Sequence, residues 1–224
     1  MADTDWTIEA GANVARGGGA PAPDHDADNQ SRASRVAAEQ RRIVNWAREN
    51  GKLAVSRRLP PFFAEGGEHR VYFRRRGARY LKATRSDRHR GYGIALGSLV
   101  HGATPSEYLD RLALQNQIFD DDIRLEWISL DAKHPILITS QPAIQGIPPL
   151  QDAVDELMLG KGYEKLTDGA YHDRDHGLLI FDLFPRNAIL AADGNIYPID
   201  PVIQRVTPDF AQFLREHPDS IDRR

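Results

Sequence analysis

Asp182 opens the run Asp182-Leu183-Phe184-Pro185-Arg186-Asn187, and Asp200 closes Tyr197-Pro198-Ile199-Asp200 thirteen positions after the asparagine. An acid, an amide five residues later and a second acid after an apolar run are the polar groups that phosphoryl transfer from a magnesium nucleotide needs. The first carboxylate can orient an attacking hydroxyl or accept its proton. Asn187 and Asp200 offer hard oxygen ligands, which suit Mg²⁺ because that ion is held by few protein groups together with phosphate oxygens. Asp, Pro and Asn each favour loops, so any one of these residues alone reads as a turn. Their joint spacing is what points to chemistry.

The elements that must position these groups follow from the apolar pattern. Residues 177–181, 188–192 and 196–199 are short apolar runs and predict strands on either side of the polar loop. Upstream, Arg70 to Arg74 and Arg79 to Ala83 read as two strands joined through Arg75-Arg76-Gly77. A helix is expected from near Ser106 to Phe119, with Leu109, Leu112 and Asn116 on one face. Residues 123–130 and 135–140 read as strands and 150–159 as a helix. A further helix is expected from Ser31 to Asn50, stopped by Gly51, with Val36, Ile43, Val44 and Ala47 as its apolar stripe. Residues 1–30 are rich in Gly, Ala, Asp and Pro and predict a disordered tail, with Trp6 and Ile8 as a candidate docking motif within it. The expected organisation is therefore a tail (1–30), a helix and connection (31–59) and one domain (60–224). Strands, helix, strands, then helix and short strands match a two-lobed α+β arrangement with a nucleotide between the lobes.

The loop Asp-Leu-x-Pro-x-Asn resembles the protein-kinase catalytic loop His-Arg-Asp-Leu-x-x-x-Asn, and Asp200 falls where kinases keep their magnesium-binding Asp. The fuller pattern resembles the kinase-like domain of phage and mobile-element polyvalent proteins. Four blocks carry it: Glu65-Gly66-Gly67-Glu68-His69-Arg70-Val71-Tyr72, Tyr80-Leu81-Lys82-Ala83-Thr84, Glu107-Tyr108-Leu109 with Arg111-Leu112, and Thr139-Ser140-Gln141-Pro142. They lie in kinase order over about residues 60–205. The resemblance implies an α+β, minimal two-lobed protein-kinase-like fold, with a β-rich N-lobe at about 60–140 and a truncated helical C-lobe at about 143–224. It also implies an ATP- and Mg²⁺-dependent kinase. Lys82 would meet the α and β phosphates, and Glu107, with Asp110 as alternate, would hold that lysine. Gly66, Gly67 and Val71 would form the bend over the phosphates, and Gln141 would lie on the segment that meets adenine. Asp182 would orient the acceptor, while Asn187 and Asp200 would bind Mg²⁺. The sequence departs from the pattern at Ile180-Phe181, where kinases have His-Arg, and at Pro201-Val202, where they have Phe-Gly. With Val71 aligned on the valine of the glycine loop, only Gly66 matches a glycine and His69 replaces the last one. The 24 residues after Asp200 leave no room for an ordinary activation segment, so substrate positioning is expected to come from a partner.

Composition removes other classes. The 224 residues carry a net charge of −3, and nothing global marks a nucleic-acid binder. No apolar run approaches the roughly 18 residues of a membrane span, and no export signal is expected. Zero cysteine excludes disulfides and thiolate metal sites and fits a cytoplasmic location. His172 and His176 could ligate a metal if helical, but the flanking Gly169 and Gly177 predict a polar loop. Arg70, Arg74, Arg75, Arg76, Arg79, Arg85, Arg88 and Arg90 read as a solvated basic face, and Asp120-Asp121-Asp122 as a surface turn able at most to hold a cation loosely. The acceptor is expected to be a protein or small-molecule hydroxyl. Two alternatives keep the fold: a pseudoenzyme that binds nucleotide or a partner, and an AMP transferase.

Overall fold

The computed structural model describes residues 6–19, 29–54, 59–85, 91–96, 100–130 and 134–221. The chain divides into two compact units, Met1–Ala143 and Ile144–Arg224. Of the expected tail, residues 1–5 and 20–28 lie outside the described residues, as do Arg88 and Arg90 of the arginine run.

The first unit is built on a six-stranded sheet of β1 (Leu53–Ala54), β2 (Phe62–Glu65), β3 (His69–Arg74), β4 (Arg79–Thr84), β7 (Arg124–Ser129) and β8 (Ile136–Pro142), in the order β1-β7-β8-β4-β3-β2. A separate hairpin joins β5 (Ile94–Leu96) and β6 (Val100–Gly102). Strand β8 is aliphatic from Ile136 to Ile138 and buried from Leu137 to Gln141, because both of its faces are covered. Leu137 belongs to the core under the helices, whereas its neighbour Ile138 packs with Leu81, Ala83 and Trp127 on the opposite face.

Three helices complete this unit: α1 (Ile8–Arg16), α2 (Asn29–Glu49) and α3 (Pro105–Phe119). Helix α3 starts where Thr104 and Glu107 form a reciprocal capping box ahead of Pro105, which accounts for its legible start. Ile43 and Ala47 of α2 join Tyr108, Leu109 and Leu112 of α3 over Leu125 and Leu137 of the sheet.

Helix α1 corrects the expected disordered tail. Thr7 caps it by accepting from the Ala10 amide at 3.0 Å, and Gly17 closes it. Trp6, Ile8, Ala12 and Ala15 are buried in the same core as α2 and α3. Gly11 lets the backbone come close, since a Cβ there would stand 3.2 Å from both Leu109 and Leu125. Small residues carry this packing, so it left no apolar stripe to read.

The second unit contains β9 (Gly146–Ile147), α4 (Gln151–Gly160), β10 (Glu164–Thr167), β11 (Ala170–Asp173), β12 (Leu178–Phe181), β13 (Ala188–Ala191), β14 (Ile196–Pro198), β15 (Val202–Arg205) and α5 (Pro208–Glu216). One sheet runs β10-β11-β12-β15 and a smaller one β14-β13-β9. The expected helical C-lobe is thus corrected to a largely β unit: its described residues hold strands β9 to β15 against helices α4 and α5. The expected polar loop at 172–176 is corrected too. His172 is a buried residue of β11 paired with Leu179, while His176 sits in the following turn, held by Asp173 at 2.7 Å.

No described helix is long and apolar enough to cross a membrane.

Candidate functional site

In the second unit, two antiparallel ladders end at the same place. Phe181 pairs with Val202 at the last step of the β12–β15 ladder, so Asp182 leaves one strand where Pro201 enters the other. Ala188 pairs with Pro198 at the first step of the β13–β14 ladder, and the Ile199 amide donates to the Asn187 carbonyl at 2.9 Å. Asp182, Asn187 and Asp200 are therefore gathered at one end of both ladders. The Asn187 side chain ties the loop together by donating from Nδ2 to the Asp182 carbonyl at 2.6 Å. With Nδ2 engaged in that donation, the oxygen Oδ1 is the atom that could serve as a hard donor to Mg²⁺.

The loop between the strands is fixed by its own sequence. Leu183 is fully buried and its amide donates to the Gly169 carbonyl at 3.0 Å. Pro185 starts the one-turn 3-10 helix Pro185–Asn187, where its fixed φ fits. Asp182 adopts a left-handed φ of 59°, a conformation that Asp tolerates better than most residues. Arg186 reaches back to Asp182 at 2.7 Å, with its guanidinium 4.4 Å from the Phe184 ring centre. Phe184 in turn lies against Gly169, whose φ is +70° and where a Cβ would stand 3.0 Å from the ring.

Gly169→Ala should therefore cost the second unit about 1–3 kcal/mol, from a strained backbone and from displacing Phe184. Urea unfolding of the variant checks this, and an unchanged midpoint would show that the ring gives way freely.

In the first unit, strand register places the candidate residues. Val71 pairs with Lys82 on one side and Thr139 pairs with Lys82 on the other, so the three side chains share one face of the sheet. Helix α3 lies over that face, with the Tyr108 hydroxyl 3.4 Å from Thr139 and 3.0 Å from His69 Nε2. Gly66 and Gly67 make the tight β2–β3 turn, closed by the Gly66 amide donating to the His69 carbonyl at 2.9 Å. Glu68, next in the turn, is tied to α3 by Arg111 at 2.8 Å.

Glu107 has partners that its spacing did not suggest. Its carboxylate is held by Arg32 at 2.7 Å, by Arg35 at 2.6 Å and by the Thr104 amide at 2.8 Å. The structure thus uses this carboxylate to bind α2 to the start of α3. The alternate, Asp110, pairs with Arg16 of α1, and the neighbouring Arg111 pairs with Glu68. Glu39 of α2 reinforces the same junction by accepting from the Ser106 amide at 2.8 Å. Burial pushes the Glu39 carboxyl above its usual range, against the hydrogen bonds that lower it. Gln141, expected near adenine, turns its buried side chain to Asp121, to which Nε2 donates at 2.7 Å.

Two residues outside the expected set belong to these arrangements. Arg186 was legible as an i,i+4 partner of Asp182 across the short turn. Asp121, set among the three consecutive acids, carried no signal that separated it from a surface turn.

The family model described as "Serine/Threonine/Tyrosine Kinase found in polyvalent proteins" matches residues 36–207. The matched segment begins inside α2 and so leaves α1 outside it. No curated protein and no solved structure matches the chain.

Proposed function

Because this chain belongs to the family of serine/threonine/tyrosine kinases found in polyvalent proteins, we propose that it transfers the γ-phosphoryl group of ATP to a hydroxyl. The observation that carries this reading is the joint ending of the β12–β15 and β13–β14 ladders, which gathers Asp182, Asn187 and Asp200. Asp182 orients the acceptor hydroxyl and takes its proton as the oxygen attacks the γ-phosphorus. The bond from that phosphorus to the bridging oxygen breaks, and ADP leaves with the bond's electrons. Arg186 fixes the Asp182 carboxylate, so that it meets the hydroxyl in one orientation.

Asn187 Oδ1 and the Asp200 carboxylate are the residues that would hold Mg²⁺, and their oxygen donors fit that ion. When bound, such an ion neutralises charge on the β and γ phosphates. Lys82 receives the α and β phosphates, with Val71 beside it on the same face. The Gly66-Gly67 turn supplies backbone amides for phosphate. Gly66 supports that role because the fold alone does not require a glycine there. Its φ is not left-handed, and a Cβ would meet only the His69 carbonyl, at 4.0 Å. Close approach of a ligand to the backbone accounts for it. The acceptor is a protein or small-molecule hydroxyl, and the cytoplasm is the compartment that supplies the ATP.

The test is transfer of label from ATP in the presence of Mg²⁺, run in parallel with γ- and α-labelled nucleotide. The γ label should reach the protein or an added acceptor and the α label should not. Transfer of the α label would instead make the protein an AMP transferase. Mg²⁺-dependent binding with no transfer of either label would make it a nucleotide-binding module.

A further inference from the structure

We propose that Asp121, at the far end of α3, is the positioning residue for Lys82, whereas the Glu107 carboxylate at its start is taken up by Arg32 and Arg35. The inference rests on the reading of Lys82 as a phosphate-binding lysine.

Strand register supplies the first observation. Lys82 pairs with Thr139 and its neighbour-but-one Tyr80 pairs with Gln141, so Lys82 and Gln141 share one face of adjacent strands. Gln141 donates to Asp121 Oδ2 at 2.7 Å, which sets that carboxylate above the same face. Helix α3 supplies the second. Tyr108 meets Thr139 near the start of the helix, and Gln115, two turns on, donates to the same Asp121 oxygen at 2.8 Å. Asp120 ends the helix with a left-handed φ of 52°, which turns the chain so that Asp121 points back under α3.

The hydrogen bonding fits an ionised carboxylate. Gln141, Gln115 and the Asp122 amide, at 2.9 Å, are all donors, and a carboxylate without its proton is an acceptor only. Burial raises the Asp121 pKa. The three donors and the nearby Lys82 ammonium each act to lower it. Asp121 thus sits half-buried in a cage of donors with the charge of Lys82 acting on it. Glu107, by contrast, has its carboxylate enclosed by two arginines.

Two measurements on the full chain test this. Carboxyl ¹³C NMR titration of Asp121 should give a higher midpoint in Lys82→Met than in the parent, and Lys82→Arg should hold the parental value. An Asp121 midpoint that does not move in Lys82→Met overturns the pairing. In the label-transfer assay, Asp121→Asn should lower kcat/KM for ATP by about tenfold, the scale of one lost charge-assisted contact. Asp121→Glu should recover part of that loss. Parental kcat/KM in Asp121→Asn overturns the positioning role. If the NMR coupling is present while the parent protein neither binds nor turns over ATP, the Lys82–Asp121 pair stands and the kinase reading falls.

Discussion

Alanine at Asp200 should abolish label transfer, whereas alanine at Asp182 should cut turnover by about 10²–10⁴-fold and leave nucleotide binding in place. The difference follows from what each group does. On the proposed mechanism Asp200 is the charged member of the magnesium pair, and phosphoryl transfer relies on charge neutralisation more than on covalent help from the protein. Asn187 alone offers one neutral oxygen, which cannot offset the charge of the phosphates. On the same mechanism Asp182 acts on the acceptor, so its loss should spare ATP affinity and depress the chemical step. Asp200→Asn, which keeps an oxygen and loses the charge, should fall between the parent and alanine. The fold is a separate matter: Asp200 lies outside both ladders, and the backbone pairing of Phe181 with Val202 does not use its side chain. Circular dichroism of the variants should therefore match the parent. Full transfer activity in Asp200→Ala would remove this residue from the magnesium site and with it the assignment of the loop.

The parts of this arrangement that were legible in sequence are those set by local chemistry. The strands now seen at Leu178–Phe181, Ala188–Ala191 and Ile196–Pro198 are short apolar runs flanked by Gly, Pro and Asp, and their pattern fixes both type and place. Helix α3 announces itself through Thr104, Pro105 and Glu107. What escaped depends on contacts distant in the chain. The pairing of Glu107 with Arg32 and Arg35 spans more than seventy positions, and no spacing rule reaches that far. Asp121 required both the β4–β8 register and the left-handed turn at Asp120, neither of which a run of three acids reveals. Residues 172–176 were read as loop because Gly169 and Gly177 flank them, although His172 is a buried residue of β11 paired with Leu179 of β12.

Trp6→Ala should destabilise the first unit by about 3–5 kcal/mol, the usual cost of emptying an aromatic core position. Trp6 is only 8% exposed and stacks on Trp46 with ring centres 4.1 Å apart and planes 15° off parallel. Its Nε1 also donates to the Leu125 carbonyl at 2.7 Å, joining the segment before α1 to strand β7. Alanine would leave a cavity beside Trp46 and remove the indole donor from a buried carbonyl, and the two losses add. Trp6→Phe separates them, since it keeps most of the stacked area and loses only the donor; about 1 kcal/mol is expected for that change. Urea unfolding measures both variants. Because a domain's whole stability is about 5–15 kcal/mol, the alanine variant should be partly unfolded in mild denaturant. The consequence reaches the candidate site through α3, whose Leu109 contacts the space at Gly11 and whose next residue, Asp110, pairs with Arg16. If α1 holds α3 in place, Trp6→Ala should also weaken ATP binding at temperatures where the protein is still folded. If unfolding and ATP affinity both match the parent, the N-terminal segment is an appendage after all, and the first unit is built from residue 29 onward.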